Sequence, residues 1–122
     1  MKSILPPSRK HDITIHSSGR IDISARIARR LALSPGDIID IAEEEGEWYI
    51  YVKLRAGTYT GAHEGRVWPT NKSGGTFRLS SRPIAAAVLA AAGVQSRLRL
   101  PCGAEILREG TIYITLIYRY PL

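Results

Sequence analysis

Cysteine, phenylalanine and methionine each occur once in this chain of 122 residues, and aromatic residues make up only 7% of it. A lone thiol, Cys102, excludes an intramolecular disulfide. The expectation is a reducing, cytoplasmic setting in which Cys102 is an inert small hydrophobe. No apolar run approaches the ~20 residues that a membrane-crossing helix needs, and no signal-peptide core follows Met1-Lys2. No membrane partner is therefore expected. The three histidines, His11, His16 and His63, are scattered, and no Cys/His set has zinc spacing. Neither a metal nor a cofactor is expected. Lys72-Ser73-Gly74-Gly75-Thr76 is glycine-rich but lacks the order of a phosphate-binding loop. Asp37 and Asp40 read as turn and strand carboxylates rather than an acid/base pair. With no catalytic constellation, the chain is not expected to be an enzyme.

Hydrophobic residues make up 44% of the chain and charged residues 23%, enough for a packed core and too apolar for disorder. The formal net charge is +6, which invites a polyanionic partner. The charge is lopsided. Residues 1–61 hold 9 Lys+Arg against 8 Asp+Glu, whereas residues 62–122 hold 8 against 3.

Self-comparison reveals a divergent tandem repeat. Ser18-Gly19 matches Ser73-Gly74, and Ile21-Asp22-Ile23-Ser24 matches Phe77-Arg78-Leu79-Ser80. Arg26 then matches Arg82, Leu31 matches Leu89, and Gly36 matches Gly93. Glu45-Gly46 matches Glu109-Gly110, and Tyr49-Ile50 matches Tyr113-Ile114. Repeat one spans residues 10–54, a linker covers 55–65, and repeat two spans 66–120.

Each copy predicts the same order of elements. Alternating Ile13 and Ile15, then Ile21 and Ile23, predict two strands with one buried face. Ser24 predicts a helix cap, with Ile27 and Leu31 four apart on the buried side of a helix from Ala25 to Leu31. Ser34-Pro35-Gly36-Asp37 is a turn, and strands through Ile39-Ile41 and Trp48–Val52 flank a hairpin turn at Glu44-Glu45-Gly46. In the second copy Ser80 or Ser81 caps a helix, Pro83 suits its first turn, and Gly93 stops it. Leu98 and Leu100 predict a strand, as do Ile112, Ile114 and Leu116, and the linker leads to a short strand near Val67-Trp68. Four short strands and one helix leave open edges in either copy alone. The two are expected to close together into one domain over residues 1–122, mainly β with two short helices: a pseudo-two-fold β-barrel.

The run Ile13-Thr14-Ile15, Ser18-Gly19-Arg20-Ile21, Ile23-Ser24, Ile27, Leu31 and Leu33-Ser34-Pro35-Gly36-Asp37 resembles the AbrB/SpoVT-like (swapped-hairpin) family. The resemblance covers about Asp12 to Val52, and is weak in repeat two. It implies interleaved hairpins, both copies here coming from one chain, and a DNA-binding transcriptional regulator or, as a weaker option, an antitoxin-like module. Ser24 and Ser80 stand where that family commonly has Pro, and Ala32 where it commonly has Gly.

By that resemblance Arg20 and Arg29 face DNA. Arg26 lies at helical spacings of three and four from Arg29 and Arg30, Lys10 belongs to a basic arm before the first strand, and Arg82 is the basic residue that persists in copy two. Such arginines neutralise phosphates and pair with guanine edges; the plainer reading makes Arg26, Arg29 and Arg30 the solvated face of a helix. Arg78, Arg97 and Arg99 supply a different basic surface, Arg97 and Arg99 pointing the same way from one strand. The alternative function is a protein-interaction or assembly module. For it the Ala-rich second helix is either core or, if exposed, the surface for a second copy or a protein partner. Trp48, Trp68, Tyr49, Tyr51, Tyr118 and Tyr120 are read as barrel core and rim, with a stacking surface as the alternative.

Overall fold

Strand pairing ties the two repeats together before any side chain is considered. The computed structural model describes residues 12–57, 64–70 and 74–117. In chain order the elements are β1 (Ile13–His16), β2 (Arg20–Ile23), α1 (Ala25–Arg30), β3 (Ile38–Glu44), β4 (Glu47–Leu54) and β5 (Trp68–Pro69). They continue with β6 (Phe77–Ser80), α2 (Arg82–Ala92), β7 (Arg97–Leu100), β8 (Cys102–Arg108) and β9 (Thr111–Leu116).

The strands form two antiparallel sheets, one in the order β5-β6-β2-β1-β7 and one in the order β3-β4-β9-β8. The fold is mainly β with two helices, as expected, but neither sheet closes into a barrel. Each keeps two edges, and an isolated antiparallel bridge from Ile38 to Arg66 links the two without a continuous ladder. Pro101, lacking an amide proton, separates β7 in the first sheet from β8 in the second.

The register is symmetric between the repeats. At the centre of the five-stranded sheet, Ile21 pairs with Leu79, Asp22 with Arg78 and Ile23 with Phe77. Exchanging equivalent residues of β2 and β6 reproduces the same pairs. Ile50 opposite Ile114 plays that central role in the other sheet. Outer strands are exchanged between copies. β1 pairs with β7, with Ile13 opposite Leu100. The matching segment, from the end of the linker into repeat two, exchanges bonds with repeat one: Gly36 N–H to Val67 O, Val67 N–H to Asp37 O, and Ile39 N–H to Gly65 O, at 2.8, 2.8 and 2.9 Å.

One core results. Ile13, Ile15, Ile21 and Ile23 from repeat one meet Phe77, Leu79, Leu98 and Leu100 from repeat two, with Ile39, Ile50, Ile114 and Leu116 from the second sheet. Burying each of these aliphatic side chains contributes about 2 kcal/mol relative to leaving it in water. The helices complete the core with Ile27, Ala28 and Leu31 from the first and Ala85, Val88 and Leu89 from the second.

Both helices start on a serine. The Ser24 hydroxyl accepts from Ile27 N–H and the Ser81 hydroxyl from Ile84 N–H, each at 3.3 Å. Ser81, not Ser80, is therefore the second cap, and the helix match shifts: Arg82 corresponds to Ala25, and Arg26 corresponds to Pro83. Leu31 likewise answers to Val88 rather than Leu89. The stops match as well. Leu33 N–H bonds to Ala28 O and Val94 N–H to Leu89 O, so Ala32, not Gly36, is the counterpart of Gly93. The second helix carries about one extra turn between these signals, which keeps its buried face in phase.

Ala32 sits at φ 52, in the left-handed region where a Cβ is strained. Ala32→Gly is expected to stabilise the protein by about 1 kcal/mol, read as a higher urea midpoint with an unchanged slope.

Candidate nucleic-acid interface

Alternation along the five-stranded sheet sends every second side chain to the core and the remainder to solvent. The Phe77-Arg78-Leu79-Ser80 strand buries Phe77 and Leu79 and exposes Arg78; the Arg97-Leu98-Arg99-Leu100 strand buries both leucines and turns both arginines outward. Arg20, Thr14 and His16 share that outer side. Register places Trp68, Arg78, Asp22, Thr14 and Arg99 in one row across all five strands, and Ser80, Arg20, His16 and Arg97 in the next. Four inter-strand spacings make the first row about 19 Å long.

This face holds four arginines and one acid, and the acid is already engaged. Asp22 takes Arg78 Nε at 2.6 Å and Arg20 Nε at 3.2 Å. Burial works to raise its pKa, but hydrogen bonds from Arg78 and His16 and the charges of Arg78 and Arg20 outweigh it and hold the carboxyl below its ordinary value. His16 Nε2 lies 3.1 Å from both Asp22 Oδ2 and Arg20 Nη2. A protonated nitrogen serves the carboxylate and a bare one serves the guanidinium, so each contact excludes the other.

The arginines singled out in the sequence separate into three groups. Arg20 lies on the sheet face, and Ser81 N–H bonded to Gly19 O at 2.8 Å sets exposed Arg82 beside the turn that carries it. Arg29 is exposed in the last turn of the first helix, where its charge suits the helix dipole. Arg26 and Arg30 are committed elsewhere. Arg26 grips buried Asp12 through Nε at 3.1 Å and Nη2 at 2.5 Å. Arg30 donates to Glu105 Oε1 at 3.1 Å and to Gly103 O at 3.0 Å, tying the helix to β8. The three helix arginines therefore do not form one free cationic face. Lys10 lies outside the described residues.

Of the residues that dominate the basic face, Arg97 and Arg99 carry a plain sequence signal, a cation at every second position of an apolar strand, and Arg78 stands singly between Phe77 and Leu79. Trp68 is the less legible member, 55% exposed on the same face.

Asp37 performs a structural task at the other end of the first helix. It is 1% exposed, accepts from Ser34 N–H at 2.8 Å and Ala56 N–H at 2.6 Å, and pairs with Arg55. Arg55 in turn donates to Leu31 O and Ala32 O, satisfying carbonyls that the helix end leaves open.

The outer face of the four-stranded sheet is different in kind. Tyr51 and Tyr113 pack with ring centroids 4.7 Å apart, and Tyr49 stands edge-on to Tyr113 at 6.5 Å. Asp40, which takes the Tyr51 hydroxyl, and an ion pair between Glu44 and Arg108 border them. These tyrosines form a surface cluster rather than a barrel interior, while Tyr118 and Tyr120 lie outside the described residues.

Burial pushes the Cys102 thiol up to about 12, so at neutral pH it stays protonated and unreactive. Among the described residues, no group of three or more His, Cys, Asp or Glu is placed to hold a metal ion, and no helix is long and apolar enough to cross a membrane. No family model, curated protein or solved structure matches this chain.

Proposed function

We propose that this chain is a DNA-binding transcriptional regulator of AbrB/SpoVT-like, swapped-hairpin type, with two repeats of one chain standing where two subunits would. The exchange of outer strands between the repeats supports the architecture, and the sequence run from Ile13 to Asp37 supports the family. The observation that carries the function is the outer face of the five-stranded sheet, where Arg20, Arg78, Arg97 and Arg99 share the surface with a single carboxylate already bound by two of them. A face of this kind neutralises phosphates at fixed spacing, and arginines projecting from strands reach base edges in a groove. Arg82, beside the turn at Gly19, extends the cationic surface beyond the sheet.

The test is duplex binding as a function of salt. Four phosphate contacts give a log–log slope of about −3.6. The double variant Arg97→Ala/Arg99→Ala is expected to reduce that slope by about 2 and to weaken binding across sequences. A slope near zero, or one that ignores the double substitution, overturns the proposal.

A second reading, an interaction module, draws on one observation. Ala86, Ala87, Ala90 and Ala91 lie exposed along the second helix. Small side chains there let another backbone approach closely; a mass that stays monomeric at every concentration counts against homotypic assembly.

A further inference from the structure

We infer that Trp68 and Arg78 form a subsite for one unpaired nucleotide of a single-stranded nucleic acid, with the base stacked on the indole and its phosphate held by the arginine. The inference rests on the same basic face as the duplex-binding reading and deepens it by naming the form of nucleic acid that this end of the face accepts.

Three observations meet at this place. Trp68 is the most exposed aromatic side chain among the large exposed hydrophobics of the described residues, at 55%. Its backbone is the register partner of Arg78, so indole and guanidinium stand on adjacent strands and on one side of the sheet. Between them the surface sinks into a recess of about 550 Å³ lined by Arg66, Trp68, Thr70, Arg78 and Ser80. A second cation, Arg66, borders it while donating to Gly36 O at 2.9 Å, which fixes its position at the rim.

The chemistry of such a recess is selective. A flat apolar ring left in water on a basic surface offers a stacking platform that every nucleobase satisfies, and adjacent arginines supply the phosphate contact. A base inside a duplex cannot present its face to the indole, because both faces are already stacked. A single strand presents bases at no such cost. The equivalent recess in repeat one differs in chemistry: it has Thr14 where copy two has Trp68 and Asp22 where copy two has Arg78, so among the described residues the indole and guanidinium meet at one place.

The experiment titrates the intact protein with three probes: a thymidylate single strand of about eight nucleotides, a blunt duplex of defined sequence, and thymidine monophosphate. Indole fluorescence is compared between the natural chain and Trp68→Phe, so that the difference reports Trp68 alone. Affinity is compared with Trp68→Ala, a substitution at an exposed position that leaves the core intact. The single strand is expected to quench the Trp68 signal. Trp68→Ala is expected to weaken strand binding about tenfold while duplex affinity stays within about twofold. Absence of Trp68-dependent quenching, or strand affinity that ignores Trp68→Ala, overturns the subsite. Equal weakening of strand and duplex also overturns it, since the indole would then serve a groove. Monophosphate binding as tight as strand binding overturns the assignment to a polymer. Salt-sensitive duplex binding that survives any of these outcomes leaves the regulator reading standing. Trp68-dependent strand binding without duplex binding removes that reading and keeps the subsite.

Discussion

Asp12→Ala is expected to destabilise the protein by about 4 kcal/mol, lowering the thermal midpoint by some 10–15 °C in a calorimetric scan, at roughly 3 °C or more per kcal/mol for a chain of this size. Asp12 is 2% exposed and carries more connections than any helix cap. One oxygen accepts from Arg26 Nε at 3.1 Å and from the Ser24 hydroxyl at 3.4 Å. The other takes Arg26 Nη2 at 2.5 Å and the Cys102 backbone N–H at 2.9 Å. Removing the carboxylate strands a guanidinium, leaves a part-buried amide unpaired, and loosens the cap of the first helix together. Those partners come from both repeats, so the loss is felt across the whole core. Asp12→Asn keeps the shape and one acceptor and is expected to cost about half as much. An Asp12→Ala protein within 1 kcal/mol of the natural chain in urea titration would show that water replaces these bonds. The same geometry assigns Arg26 to the fold: its substitution is expected to move stability rather than DNA affinity.

Gly65→Ala is the second large effect, expected at about 4 kcal/mol or more, with the folded population visibly reduced in denaturant titrations. Gly65 has φ +81, and a Cβ built there would lie 2.3 Å from the Ile39 carbonyl oxygen. Strain in the left-handed region alone costs about 1 kcal/mol, as at Ala32. Here the added methyl must also displace backbone that carries the Ile39 N–H to Gly65 O bond. That bond belongs to the exchange of strands between the repeats, so relief of the clash costs pairing. A cost near 1 kcal/mol would mean that this segment shifts without penalty.

How much of this was legible before the structure follows from the range of each interaction. Alternation and capping are local, so Ile13/Ile15, Ile21/Ile23, the Ser24 cap and the Gly93 stop were readable in the chain. The hairpin turns were readable for the same reason, and Glu45 and Glu109 do adopt the same φ of 52. The choice between Ser80 and Ser81 was not, because either offers a hydroxyl and only the strand register decides. The eighth strand went unread: Pro101 and Gly103 bracket its start, and its exposed Ile106 and Leu107 break the alternating pattern. Partners 14 and 75 positions apart, Asp12 with Arg26 and Arg30 with Glu105, leave no local trace, and they turned two presumed surface cations into ties between elements. Closure failed as an expectation because apolar phase reports which face is buried and is silent on whether outer strands meet.

The row from Trp68 to Arg99 has unlike ends, an indole at one and a guanidinium at the other. Two identical subunits joined by a dyad would present the same chemistry at both limits and accept a rod-like ligand equally well in either sense. Two copies in one polypeptide need not be identical, and the difference between them here makes the platform polar. Any elongated molecule lying along it meets a different group at head and tail, so the surface distinguishes the molecule from its own reversal.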